Sequence, residues 1–312
     1  MKQLRLMCLM LTMLLVLTAC GSNSEVPETT TVPTTAETTE ATQVETIMEE
    51  TSVATEPSED GGERMVIVDN ELCSFTITGM EADSLWGYTV KVQCENKTSD
   101  QTLMFAWEDV SIEGYMADPF WAAEVAAGKT SNEEITFFQE DLDEINAGEV
   151  DQIEFRLRIY DAEDWSADAL VDETHVLYPT GLSAEEIVYP ERTQTEGEQV
   201  FADTQDYQFV ILSVEPDNFW GYTLKCYLEN NTDTTLMFSW EDVSVNGLMI
   251  DSFWAQEVAA GKRAYGEISF FSTDFEDNGI TDVEEIEFKL QITNYEDWLA
   301  DPLVEEVFTF RP

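Results

Sequence analysis

Oxygen donors, thiols and indoles are the side chains in this 312-residue chain whose types and spacing suit chemistry. Asp274, Glu276, Asn278, Asp282 and Glu285 fall at positions 1, 3, 5, 9 and 12 of a window with Gly279 at position 6, the spacing of a calcium-binding loop. Glu at position 3 and Thr281 at position 8 depart from that pattern, and a solvated acidic loop is the competing reading. Asp161, Glu163, Asp164 and Asp168, echoed by Asn294, Glu296, Asp297 and Asp301, form a second oxygen-rich cluster, set against a plain charged turn. No cofactor is expected, the solvated loop and the charged turn being preferred, and Ca²⁺ is the one alternative these residues suggest.

Cys73 and Cys94 fall on the inward face of what should be neighbouring strands. Their counterparts later in the chain are Tyr207 and Leu228, so both are replaced together, which favours a cross-strand disulfide; buried free thiols are the alternative. Cys226 stands where Val92 stood and reads as a core residue. Among the eight tryptophans, Trp107 keeps register with Leu103 and Phe105 and belongs to a core. Trp121, Trp165, Trp254 and Trp298 sit in polar, loop-like contexts and are the candidates for a platform on which sugar rings stack, although a shared core would retain them equally.

Catalysis finds little material. His175 is the only histidine, so neither a Ser-His-Asp set nor a histidine-based zinc site can be assembled. No glycine-rich loop reads as a phosphate cradle. Carboxylate pairs for glycoside hydrolysis are too abundant for any one to stand out. A non-enzymatic protein is expected.

The N-terminus carries a different chemistry. Lys2 and Arg5 precede an apolar run from Leu6 to Leu17, too short for a spanning helix, and Leu17-Thr18-Ala19-Cys20 follows. This resembles the bacterial lipobox, which implies cleavage before Cys20 and a diacylglyceryl group on its thiol. Two acyl chains hold a protein firmly on a bilayer, each buried methylene contributing about 0.8 kcal/mol. The expected location is the outer face of the bacterial cytoplasmic membrane. Cleavage would remove two of the 14 basic residues and no acidic one, taking the formal net charge from −51 to −53. Such a field repels nucleic acid and anionic headgroups.

Residues 21–62 hold eleven threonines, three prolines and ten acidic residues, with no Lys or Arg. They cannot bury enough surface to offset ordering entropy, so 20–62 should be a disordered, self-repelling stalk beginning at the lipidated cysteine.

Beyond the stalk the chain says one thing twice. Leu85-Trp86-Gly87-Tyr88-Thr89 returns as Phe219-Trp220-Gly221-Tyr222-Thr223, and Leu103-Met104-Phe105-Ala106-Trp107-Glu108-Asp109-Val110 returns as Leu236-Met237-Phe238-Ser239-Trp240-Glu241-Asp242-Val243. Two repeats, 63–179 and 199–312, joined by a linker at 180–198, should each fold alone. The period within them is two: Tyr88, Val90, Val92 and Cys94 alternate with Thr89, Lys91, Gln93 and Glu95. Ile153, Phe155, Leu157 and Ile159 alternate with charged or polar residues in the same way. Short strands broken by turns such as Asn246-Gly247 predict an all-β chain of two immunoglobulin-like sandwiches.

This layout resembles Gram-positive surface lipoproteins that carry tandem immunoglobulin-like repeats, on the Glu-Asn-Lys-Thr strand end at 95–98, the Ala-Gly-Lys turn at 127–129 and the Ile-x-Phe strand at 153–155. The resemblance implies a fold and a location and carries no catalytic residue. A lipid-anchored binding or adhesion protein is expected, its partner an extracellular protein or glycan. A glycan-binding module built on tryptophans and an accessory surface domain with no small ligand are the alternatives.

Overall fold

The structure is a computed structural model that describes residues 54–57 and 63–312, apart from 165 and 298. The leader, Cys20, Trp165, Trp298 and the stalk outside 54–57 lie beyond the described residues. No helix among the described residues is long and apolar enough to cross a membrane.

The chain is all-β, as the alternation predicts. In the first repeat β2 (Glu63–Asp69), β3 (Cys73–Ser84), β4 (Gly87–Asn96) and β8 (Thr130–Phe138) form one antiparallel sheet in that order. The second sheet pairs β5 (Leu103–Ile112) with β9 (Ile153–Asp161), and β9 with β10 (Val171–Leu177). Two short strands, β6 (Tyr115–Met116) and β7 (Ala122–Val125), lie along β5. The second repeat copies this plan. Its first sheet is β11 (Gln199–Asp203), β12 (Tyr207–Asn218), β13 (Gly221–Asn230) and β17 (Arg263–Phe271). Its second is built on β14 (Leu236–Val245), with β15 (Leu248–Met249), β16 (Ala255–Val258), β18 (Ile286–Asn294) and β19 (Val304–Phe310). One-turn helices α1 (Gln139–Glu144) and α2 (Ser272–Asn278) follow β8 and β17, too short to register as a periodicity.

Each pair of sheets closes over side chains that alternate inward. Phe75, Val90, Cys94, Phe105, Phe155, Leu157 and Ile159 have no exposed surface in the first repeat, and Phe209, Leu224, Phe238, Phe288 and Leu290 have none in the second. Full burial of such a side chain contributes about 1.5–3 kcal/mol. The Glu-Asn-Lys-Thr motif is a polar rivet in this core. Buried Asn96 donates from Nδ2 to the carbonyls of Gln101 and Val125, both at 2.8 Å, and its Oδ1 accepts from the Thr98 N–H and hydroxyl. Asn230 and Thr232 repeat the arrangement, so every polar group forced inside at the strand end is satisfied.

One expectation changes. Residues 54–57, assigned to the disordered stalk, form β1 (Ala54–Pro57), which pairs antiparallel with β2 from Ala54↔Val66 to Pro57↔Glu63. An extended Thr/Pro chain suits an edge strand, where a missing N–H can face solvent. Beyond the connector at 180–198, the two repeats also touch. The start of β17 lies parallel to β6, with the Arg263 N–H donating to the Gly114 carbonyl at 2.9 Å. Tyr115 and Tyr265 stack face to face at 5.7 Å and 2°, and Lys262 pairs with Glu154 at 2.7 Å. Val210 and Tyr227 of the second repeat are buried in the core of the first. The connector closes the joint: Arg192 makes a two-pronged pair with Glu198, at 2.6 and 3.2 Å, and lies 4.8 Å over the Tyr227 ring, while the Pro190 carbonyl accepts from the Tyr115 hydroxyl.

Candidate functional site

The β3–β4 and β12–β13 hairpins end in two-residue turns whose tips are Leu85-Trp86 and Phe219-Trp220. Such turns ordinarily carry Asn, Asp or Gly. Here the conformational strain is moved one residue on, to Gly87 and Gly221 at φ +134° and +115°, which frees the tip positions for large apolar side chains. Three of the four stand in solvent, Leu85 86% exposed, Trp86 54% and Phe219 74%, while Trp220 is half-buried. In the second repeat Phe219 meets Trp220 edge-on at 5.1 Å, and the half-exposed Phe271 lies 6.4 Å from the same indole, giving a three-ring patch. The Trp86 carbonyl accepts from the Gln139 N–H at 3.0 Å, tying the tip to the start of α1. Glu81 and Asp83 precede the first tip in sequence and Glu215 and Asp217 the second, with Glu81 paired to Lys91 at 2.9 Å and Glu215 to Lys225 at 4.0 Å; Glu140 and Asp141 follow Gln139 on α1. The arrangement is an apolar hairpin tip preceded by acidic residues, present twice.

Of the four tryptophans expected to form a sugar platform, Trp165 and Trp298 lie outside the described residues, and Trp121 and Trp254 face the core. Trp121 packs on the first core, 6.0 Å from the Phe75 ring and 6.3 Å from Trp107, and Trp254 is 7% exposed between Phe209 and Trp240. Both therefore take the core role that was their alternative. Their polar sequence neighbours misled, because their packing partners come from distant strands. The exposed ring at this point of the chain is instead the preceding residue, Phe120 or Phe253.

The calcium-loop window does not fold as a loop around a centre. Asp274, Glu276 and Asn278 lie on α2, where Asn278 Nδ2 donates to the Asp274 carbonyl at 2.8 Å. Asp282 offers its carbonyl to Asn246, and Glu285 pairs with Arg311 at 2.9 Å. In the second cluster Asp161 accepts from the Glu163 N–H, Asp164 from Ser166, and Asn294 from the Glu296 N–H, the bonds of self-contained turns. Among the described residues no group of three or more His, Cys, Asp or Glu side chains is arranged to hold a metal ion.

The Cys73–Cys94 disulfide is also corrected. Cys73 stands opposite Asn96 and Cys94 opposite Phe75, so the two are diagonal neighbours, a spacing of about 7–8 Å between Cα atoms that is wide for a disulfide. Both are free and buried, as is Cys226. Burial pushes the Cys94 thiol up to about 12, with Glu133 adding to the effect, and raises Cys73 and Cys226 in the same direction. All three should therefore resist thiol reagents at pH 8 in the folded protein and react once it is denatured. Mass spectrometry after alkylation reads this directly, with identical masses before and after reduction. His175 is half-buried against Phe155 at 5.7 Å, with the Glu173 carboxylate 3.6 Å away, and desolvation holds its pKa below the ordinary histidine value.

No family model and no curated protein matches the chain. Among solved structures, red sea bream transglutaminase aligns at 13% identity over 78% of this chain and 31% of that one, with a TM-score of 0.21. The chain thus spans about a third of that protein's length, and the likeness is too slight to carry anything across.

Proposed function

We propose that this is a lipid-anchored, non-catalytic recognition protein of the bacterial cell surface, tethered through Cys20 and contacting an extracellular protein with its aromatic hairpin tips. The observation that carries the reading is the pair of apolar tips at equivalent places in both repeats, with Leu85, Trp86 and Phe219 exposed and Trp220 half-buried. Folding alone gives no reason to keep large rings in two-residue turns. An apolar contact preceded by acidic residues, on a chain of net charge −51, suits the uncharged or basic surface of a protein and opposes anionic lipid and nucleic acid. Two such contacts on one tether raise avidity wherever the partner is repeated. The glycan reading loses its support at Trp121 and Trp254, which face the core.

The tether is tested by Cys20→Ser. In a host that processes bacterial lipoproteins, the wild-type chain should incorporate labelled palmitate and sediment with membranes. The variant should lose the label and lose membrane retention; equal retention of both would remove the anchor from the account.

A further inference from the structure

The contact between the two repeats is head-to-tail, because the β5–β6 edge of the first repeat receives the β17 face of the second. A contact of that kind leaves the equivalent edge of the last unit unused. That edge is β14–β15, and its exposure differs from its twin residue by residue. Tyr115 is 1% exposed beneath the second repeat and Met116 is half-buried, while their counterparts Leu248 and Met249 are 43% and 66% exposed. Glu108 and Asp109 are half-covered, whereas Glu241 and Asp242 are exposed. A cavity of about 480 Å³, bordered by Trp240, Met249 and Phe253, opens at this edge.

We infer that the β14–β15 edge of the second repeat is a docking surface for another protein that presents a basic, tyrosine-bearing β-strand, in the geometry by which Lys262, Arg263 and Tyr265 already dock on β6. The chemistry is read from that internal contact. Lys262 pairs with Glu154, Arg263 lies over the Tyr115 ring and donates its N–H to Gly114, and Tyr265 stacks on Tyr115. The open edge keeps the matching groups. Gly247 stands for Gly114, the apolar Leu248 for Tyr115, and Glu287 for Glu154; neither Glu287 nor the nearby Asp251 has a cationic partner among the described residues. A basic partner is also what the chain's net charge of −51 attracts.

A second copy of this chain is the poorer occupant. The face it could offer, on β4 and β8 of its first repeat, has Gln93, Thr130 and Asn132 where the docking face has Tyr227, Arg263 and Tyr265. The inference concerns a surface separate from the hairpin tips, and its test leaves the tips intact, so the two readings fail independently.

The experiment makes the full chain its own probe. Gln93→Tyr, Thr130→Arg and Asn132→Tyr give the first repeat the docking chemistry of the second. In analytical ultracentrifugation the wild-type chain should remain monomeric, while the grafted chain should gain mass with concentration toward a dimer and beyond. Adding Met249→Glu and Glu287→Lys to the graft should restore the monomer. A grafted chain with unchanged circular dichroism that stays monomeric overturns the inference, and wild-type association abolished by Met249→Glu overturns the choice of partner. Should the triple graft fail to fold, Thr130→Arg with Asn132→Tyr, both at exposed positions, carries the same two outcomes.

Discussion

Replacing Trp254 by Ala should destabilise the second repeat by about 3–5 kcal/mol, the cost of deleting a large aromatic side chain from a packed core. The indole is wedged between Phe209 at 5.6 Å and Trp240 at 6.0 Å, and Trp240 is in turn fixed by its Nε1–H donating to the Ser252 carbonyl at 3.0 Å. Truncation leaves a cavity walled by the Phe209 and Trp240 rings and loosens that hydrogen bond. Urea unfolding followed by circular dichroism measures the loss. A surface platform for sugars would instead change stability by about 0.5 kcal/mol or less, so this one substitution decides between core and platform.

Gly221→Ala should be comparably severe, by a different route. At φ +115° a side chain strains the backbone by about 1–3 kcal/mol. The added Cβ would also lie 2.2 Å from the Phe270 carbonyl oxygen and 2.8 Å from the Ser272 N, both main-chain atoms of the neighbouring strand and helix start. Relief requires β13 to move away from β17, which displaces the adjoining tip. The expected result is a loss of more than about 3 kcal/mol, on the same scale of strain plus clash. Gly87, with its Cβ 2.2 Å from the Phe137 carbonyl oxygen, predicts the same outcome in the first repeat. Gly247→Ala is the control, since nothing lies within 4 Å of its Cβ and only the strain at φ +77° remains.

The strands were legible because burial there follows the chain's own alternation. Tyr88, Val90, Val92 and Cys94 are all buried in β4, as their period of two demands. What depended on partners distant in sequence was not legible. Trp121 and Trp254 follow the loop residues Asp118-Pro119 and Asp251-Ser252, and the rings that enclose them, Phe75 and Trp107 or Phe209 and Trp240, come from other strands. The cysteine pair failed on register: two residues can face one core and still stand diagonally across a ladder.

The joint between the repeats did leave a signal in the differences between copies. Thr76, Gln93 and Asn132 become Val210, Tyr227 and Tyr265, polar turned apolar or aromatic where the other repeat rests. The hairpin tips were visible as a repeated motif. Their exposure required knowing that Gly87 and Gly221 end the turn, leaving the two preceding residues at its apex.

The most direct test of the central claim is photocrosslinking from the tips of the anchored chain on living cells, with benzoylphenylalanine at position 86 or 219. The account predicts a discrete, protease-sensitive adduct from both positions, and far less from position 196 in the connector. No adduct from either tip, or equal yield from position 196, would contradict recognition of a protein by these tips.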